Sequence, residues 1–425
     1  MTKNNRFRIE VWADWVSVGG PIFMGTLFVT PSRGKEIFSF EYDIDWLENP
    51  NAQVLDPSLF LFSGKQYVPT DHGNFGLFLD SCPDRWGRVL MRRREAQLAR
   101  EENRRPRKLQ ESDFLLGVYD GHRMGGLRFK AEAGGPFLDD NHHLASPPWT
   151  SLRELEQISL NLEGDDAVSD PDYSKWLKML IAPGGSLGGA RPKSSVLDDK
   201  GALWIAKFPS RHDDEDVGAW EEVAHILARR AGITTATTLT RQFTGKYHTF
   251  LSKRFDRTNN NQGRLHFASA MTLLQRSDGD DASSGVSYLE LAELLMRAGS
   301  NTDADLEELW RRIVFFVCIS NTDDHLRNHG FILQSLGWSL APAYDINPSP
   351  HGAGLRLNIS ETDNALNLEL ALEVAPYFRL SNGRAKEIIA HTVRVVQDWP
   401  KVAKNCRISN NEQAQMESAF ENANW

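Results

Sequence analysis

Apolar positions along this chain change period several times. From Phe7 to Tyr42 they alternate: Phe7-Arg8-Ile9-Glu10-Val11-Trp12, then Ile22 to Val29, then Ile37-Phe38-Ser39-Phe40-Glu41-Tyr42. Turns at Gly19-Gly20-Pro21 and Pro31-Ser32-Arg33-Gly34 separate them, so a small antiparallel sheet is predicted. Helical spacing takes over at Arg85 to Ala99, where the Asp84 carboxylate can accept the free amides of the first turn. Ser112 to Asp120 then leads to Gly125-Gly126-Leu127-Arg128-Phe129, and residues 131 to 150, rich in Gly, Pro, Asp and His, read as a connector. His142 and His143 lack a second ligand pair at metal spacing, so a surface loop is expected there.

Ser194 to Leu197 and Ala202 to Phe208 predict two strands joined through Asp198-Asp199-Lys200-Gly201. A helix is expected from about Val217 to Ala231, ending at Gly232. Leu306, Leu309, Trp310, Ile313, Val314, Phe316 and Val317 recur at helical spacing, so a buried helix delivers the polar stretch Ser320 to Gly330. A hairpin follows, from Phe331-Ile332-Leu333 through a turn at Ser335 to Gly337, and then Ala343-Tyr344-Asp345. From Ala371 the pattern is helical, with Ser381 and Ser409 as caps and Ser409 with Glu412 as a capping box. Residues 258 to 264 and 277 to 284 read as polar loops.

With 425 residues the chain can bury a large core and form two or three domains. Its 40% apolar and 25% charged composition is that of an ordinary soluble globular protein. Without a long apolar run or a signal-peptide pattern after Met1, a cytoplasmic protein with no membrane partner is expected. Cys82, Cys318 and Cys406 are scattered and indicate neither a disulfide framework nor a metal knuckle. A net charge of −9 argues against broad affinity for nucleic acid. The basic stretch Arg85 to Lys108 reads as a solvated helix face, with phosphate contact inside a larger complex as the alternative.

Three stretches carry candidate chemistry. Phosphoryl transfer needs a carboxylate to accept the hydroxyl proton and oxygen ligands to hold Mg²⁺ on the phosphates. In protein kinases these are an Asp, an Asn five positions later, and a further Asp after a hairpin, an order that Asp323, Asn328 and Asp345 repeat. Earlier, four glycines in the six residues Gly184-Gly185-Ser186-Leu187-Gly188-Gly189 carry no Cβ to keep backbone amides from an anion. It is not a Walker A loop, since Pro192 stands where Gly would precede Lys193. Lys207 lies on the second of the two following strands, as a kinase strand lysine does, between that loop and a helix bearing Glu221 and Glu222. Taken singly, these stretches would be a solvated turn, a plain Gly turn and an exposed lysine; the buried helix before the first and the hairpin and Asp345 after it favour its catalytic reading, as the place of Lys207 between the Gly-rich stretch and an acidic helix does for the lysine.

The same stretches resemble the HipA-like serine/threonine kinases, toxins of bacterial toxin-antitoxin pairs. The family pattern N-x-D-x-H-x-K-N is met from Asn321 to Asn328 with Arg327 in place of Lys, and Leu340-Ala341-Pro342-Ala343-Tyr344-Asp345 matches throughout. Gly-Gly-Ser-x-Gly-Gly-Ala-x-Pro-Lys, ending at Lys193, resembles the family's phosphate loop. Lys253-Arg254-Phe255-Asp256-Arg257 is similar to its hinge, usually Glu-Arg-Phe-Asp-Arg, and Ser81-Cys82-Pro83-Asp84 departs from its commoner Leu-Leu-Pro form.

The resemblance implies an α+β, protein-kinase-like two-lobed fold with an N-terminal β-rich subdomain. Its parts would be an N-terminal subdomain at 1–130, a connector at 131–150, a small lobe with the Gly-rich loop at 151–255 and a helical large lobe at 256–425. It implies that Asp323 is the catalytic base and that Asn328 and Asp345 hold Mg²⁺. ATP would be met by Gly188, Gly189, Ala190, Arg191, Lys193, Lys207, Lys253, Phe255, His325, Asn328 and Asp345, with Glu221 orienting Lys207. Ser186 matches the family's autophosphorylated serine. The implied biology is growth arrest by phosphorylation of a translation component such as an aminoacyl-tRNA synthetase. A small DNA-binding antitoxin would neutralise the kinase, and operator DNA would be reached only through that complex. A nucleotide-binding pseudokinase and a small-molecule kinase are the competing readings.

Overall fold

The computed structural model describes residues 7–69, 72–138, 147–184, 191–243, 245–258 and 263–425, with backbone only for 181–184. His142 and His143 lie outside the described residues. The chain divides into two units, Met1–Arg211 with Asp256–Ala268, and His212–Phe255 with Ser269–Trp425.

In the first unit the alternating segments form β1 (Phe7–Ala13), β2 (Ile22–Ser32) and β3 (Lys35–Tyr42). After the short α1 (Ile44–Leu47) come β4 (Gln66–Tyr67), α2 (Gly76–Leu79), α3 (Arg85–Glu101), α4 (Glu111–Leu116) and β5 (Leu127–Lys130). The sheet is antiparallel in the order β4-β3-β2-β1-β5. Its period-2 pattern is met in burial: Ile9, Val11 and Ala13 are fully buried while Arg8, Glu10 and Trp12 are not. Asp84 caps α3 as expected, accepting from Gly87 N at 2.6 Å.

Part of the basic run on and after α3 is answered within this unit. Arg88 pairs with Glu111, Arg104 with Glu95 and Arg107 with Asp113, while Arg93 donates to Leu162 O. Next come α5 (Leu152–Leu162), α6 (Tyr173–Gly184), β6 (Lys193–Leu197) and β7 (Leu203–Lys207). The β6–β7 hairpin is antiparallel with Lys193 opposite Lys207, and Asp198 shapes its turn by accepting from Lys200 N and Ala202 N. Asp256 and Arg257 seat the returning segment on this unit. The Asp256 carboxylate accepts from Gly125 N at 2.9 Å and pairs with Arg257, whose other nitrogen donates to Gly121 O and Arg123 O.

The second unit starts with α7 (Val217–Arg230), β8 (Thr238–Arg241) and β9 (Thr249–Lys253), the strands forming an antiparallel hairpin. The short strand β10 (Phe267–Ser269) carries the chain back into it. Then come α8 (Ala270–Leu273), α9 (Tyr288–Ala298), α10 (Thr302–Cys318) and the hairpin β11 (Gly330–Gln334) with β12 (Gly337–Leu340). The helices α11 (Leu368–Val374), α12 (Asn382–Val396), α13 (Trp399–Asn405) and α14 (Asn410–Met416) follow.

The predicted cap at Ser381 is made, accepting from Arg384 N. The capping box at Ser409 is only half formed: Ser409 accepts from Glu412 N, but the Glu412 carboxylate points elsewhere. It accepts from Asp216 N at 2.6 Å and Trp220 Nε1 at 3.2 Å, two donors at the start of α7 that satisfy the carboxylate. α10 is the core of this unit. Leu306, Leu309, Trp310, Ile313, Val314, Phe315, Val317 and Cys318 are all at 0% exposure, so the helix is apolar well beyond one stripe.

Burial pushes the Cys82 and Cys318 thiols up to about 12 and the Cys406 thiol to about 11, which leaves them unreactive at neutral pH. Among the described residues, no helix is long and apolar enough to cross a membrane.

Candidate active site

The polar loop begins where α10 ends, and the ending is built to turn the chain. Ser320 takes the left-handed conformation at φ +50°, with Asn321 N donating to Phe316 O and Ser320 N to Val317 O. This is a Schellman termination with serine where glycine is usual, at a cost of about 1 kcal/mol. The Ser320 hydroxyl accepts from Asn422 Nδ2 at 3.1 Å, which holds the turn from a second side.

Asp323 and Asp324 part company after that turn. Asp323 is exposed, while Asp324 is 1% exposed and accepts from Tyr288 OH at 2.6 Å and His329 Nε2 at 2.7 Å. The backbone carbonyl of Asp323 accepts from His325 N and from the Asn328 side-chain Nδ2, both at 3.0 Å. A carboxamide has one donor end and one acceptor end; with Nδ2 committed to the loop, Oδ1 of Asn328 is its remaining metal-binding atom. Gly352 approaches the other side of the loop so closely that a Cβ there would collide with Thr322.

Asp345 is set beside this loop by both of its flanks. Tyr344 OH donates to Arg327 O at 2.6 Å, and Asn347 N donates to Asn321 Oδ1 at 3.1 Å. Asp345 itself sits at φ +57°, a strained conformation for a residue with a Cβ, of the kind retained where surrounding contacts over-determine it. Upstream, Arg312 on α10 donates to Ala341 O at 2.8 Å and Ala343 N donates to Thr234 O, so the strand leading to Asp345 is fixed as well. The Phe255 ring lies 5.4 Å from that of Tyr344, and Lys253 N donates to Thr237 O at the end of β9.

Asn321 Nδ2, His325 Nδ1 and Asn347 Oδ1 are buried without a hydrogen-bond partner among the described residues. Unmet polar atoms clustered around one loop are what a site shaped to meet a polar ligand leaves in its absence. Asn328 Oδ1 and the Asp345 carboxylate are hard oxygen ligands of the sort Mg²⁺ takes alongside phosphate oxygens, so these residues fit a nucleotide-borne Mg²⁺. Among the described residues no three His, Cys, Asp or Glu side chains cluster as an all-protein metal cage.

On α7 the two acids differ. Glu222 pairs with Arg229 at 3.2 Å and burial raises its carboxyl, whereas Glu221 is 2% exposed. In the first unit, Lys207 is half-buried at the end of β7, and Arg191 donates to Phe208 O. Lys193 is 2% exposed, with its ammonium 3.2 Å from Asp84, and Trp86 Nε1 donates to its carbonyl. Ser186, Gly188, Gly189 and Ala190 lie outside the described residues. Sequence reasoning missed Asp324, Tyr288 and His329 as a unit, and Asp84 as the partner of Lys193. Only the Asp-Asp doublet, with one acid more than the chemistry requires, could have pointed to the first.

The description of the HipA-like C-terminal domain matches residues 185–399. A Haemophilus influenzae protein bearing the name "Putative kinase" is 33% identical over 113 residues, covering 25% of this chain. The chain spans about a third of that relative's length, 33%. Among solved structures, a chain of the Shewanella oneidensis MR-1 toxin-antitoxin complex of HipA, HipB and operator DNA superposes with a TM-score of 0.63 at 18% identity. The match covers 98% of this chain and 95% of that one and shows a shared fold. The Helicobacter pylori proinflammatory kinase CtkA gives a TM-score of 0.36 at 12% identity, over 54% of this chain and 94% of its own. With half of its length inside the family's C-terminal domain, the chain belongs to the HipA-like family.

Proposed function

We propose that this protein is an ATP- and Mg²⁺-dependent kinase that transfers the γ-phosphoryl group to a serine or threonine hydroxyl of another protein. The observation that carries the reading is the loop in which the Asp323 carbonyl engages Asn328 Nδ2 while the Asp323 carboxylate is left exposed. One loop thereby presents a proton acceptor and a metal-binding oxygen in a fixed relation, and the anchored flanks of Asp345 add a second such oxygen.

Asp323 orients the acceptor hydroxyl and takes its proton at the carboxylate, and Asn328 and Asp345 hold the metal. Bound Mg²⁺ supplies charge neutralisation on the phosphates. Lys207 is the candidate point charge for those phosphates, and Lys253 and Phe255 the candidates for adenine. The inward turn of Lys193 supports removing it from the phosphate contacts and giving it a structural role.

The proposal extends to biology by family. The Shewanella complex is described as a toxin-antitoxin system with operator DNA. We take this chain to be a growth-arresting toxin, restrained by a small DNA-binding antitoxin and acting on a translation component such as an aminoacyl-tRNA synthetase. The test is phosphate incorporation from labelled ATP into the protein and a cell lysate, with Asp323→Ala as control. Labelling that requires both Mg²⁺ and Asp323, on serine or threonine, is the expected result; equal labelling by the Asp323→Ala protein would remove the assignment.

A further inference from the structure

Tyr288, Asp324 and His329 are buried at 0%, 1% and 1% exposure, and the mechanism above uses none of them. Both donors converge on one atom, Asp324 Oδ2, at 2.6 Å from Tyr288 OH and 2.7 Å from His329 Nε2. Because the carboxylate can only accept, Nε2 carries the proton, and the Nδ1 side has no hydrogen-bond partner among the described residues. Burial and the Asp324 charge together raise the Tyr288 hydroxyl well above its usual range, so it stays a donor at all ordinary pH.

Interior carboxylates are costly unless fully engaged, so an acid here needs a reason beyond packing. Its position supplies one. Asp324 is the residue after Asp323, and the two side chains leave the loop toward opposite environments, one exposed and one buried. His329 is the residue after Asn328, and its carbonyl accepts from Ala270 N at 2.8 Å. The two candidate catalytic residues of the loop are therefore each followed by a residue of the same buried hydrogen-bonded pair. Tyr288 ties that pair to the first turn of α9, whose own start is fixed by Tyr288 N to Asn358 O and Asn358 N to Val286 O.

We propose that Tyr288, Asp324 and His329 form a buried anchor that fixes the distance and orientation of Asp323 relative to Asn328, acting as positioning residues for phosphoryl transfer. The inference rests on the kinase reading for its catalytic consequence but not for its structural one. Charge-assisted hydrogen bonds of this kind are about twice as strong as neutral ones, and misplacing a reacting group by about 1 Å can cost on the order of 100-fold in rate.

The experiment compares the full-length wild type with Tyr288→Phe, Asp324→Asn and the double variant, in steady-state kinetics and in hydrogen exchange of residues 320–330. Tyr288→Phe keeps the ring and removes one donor; it should lower kcat about tenfold with the KM for ATP within twofold, and speed exchange across the loop. Asp324→Asn should lower kcat about 100-fold, and the double variant no further, because both changes release one anchor. Unchanged loop exchange in folded Tyr288→Phe and Asp324→Asn proteins would overturn the anchor, whatever the activity. Faster loop exchange with kcat unchanged in both variants would overturn its positioning role. Faster loop exchange in the variants, beside a wild type that itself transfers no phosphate, would leave the anchor standing and sink the kinase reading instead.

Discussion

The hairpin after the Gly-rich stretch and the loop after α10 use their charges in opposite directions. In the hairpin, Lys193 and Lys207 face each other across the strands, and the repulsion expected of such a pair is relieved by sinking Lys193 onto Asp84. In the loop, two adjacent acids are separated the other way, with Asp324 sunk onto donors so that Asp323 stands outward. In each case one member of a like-charged pair becomes structural and the other stays more accessible. Identical side chains in one short motif can thus have unlike jobs, decided by which finds an interior partner.

The largest effect that would sharpen this contrast is on activity. Asp323→Ala should reduce phosphate transfer by about 10² to 10⁴-fold with nucleotide affinity little changed, as read by labelled-ATP assays and equilibrium binding. Next comes the buried partner of Lys193. Asp84→Ala removes its counter-charge and the α3 cap together, and should cost about 4 kcal/mol in denaturant unfolding. Adding Lys193→Met should restore much of that loss. A cost under about 1 kcal/mol would return Lys193 to the candidate phosphate ligands and break the parallel between hairpin and loop.

A pH experiment probes the same burial in the first unit. His266 stacks on Trp15 with ring centroids 4.8 Å apart, and burial lowers its imidazole from 6.5 to about 3. The unfolded chain therefore binds the extra proton between those values and the folded one does not. Its contribution is present above pH 6.5 and is lost as pH falls toward 3, by about 3 kcal/mol between pH 7 and pH 4. His266→Phe should flatten that part of the stability profile measured by urea unfolding.

The smallest effect belongs to a residue that departed from its expected local role. Glu412→Gln weakens the charge-assisted acceptor for Asp216 N and Trp220 Nε1 and should cost about 1 kcal/mol in urea unfolding, without altering transfer. A loss confined to fraying of α14, with α7 untouched in hydrogen exchange, would instead restore the simple capping box.

By itself the sequence determined whatever depends on near neighbours. The alternation of Ile9, Val11 and Ala13 fixed a strand face, the spacing along α10 fixed a buried helix, and Asp84 and Ser381 were legible as caps, because their partners lie within one turn. The tie between Asp323 and Asn328 was legible for the same reason: Asn328 reaches back only five positions to the Asp323 carbonyl. Tertiary structure alone decided the rest. Lys193 meets Asp84, and Trp86 beside it donates across 107 positions to the lysine carbonyl. Glu412 leaves its helix for donors 196 and 192 positions away, and Tyr288 comes from 36 positions upstream to claim Asp324. A buried charge takes whichever partner the fold brings within about 3 Å, because leaving it unpaired costs more than any local preference can return, and no local pattern records that partner.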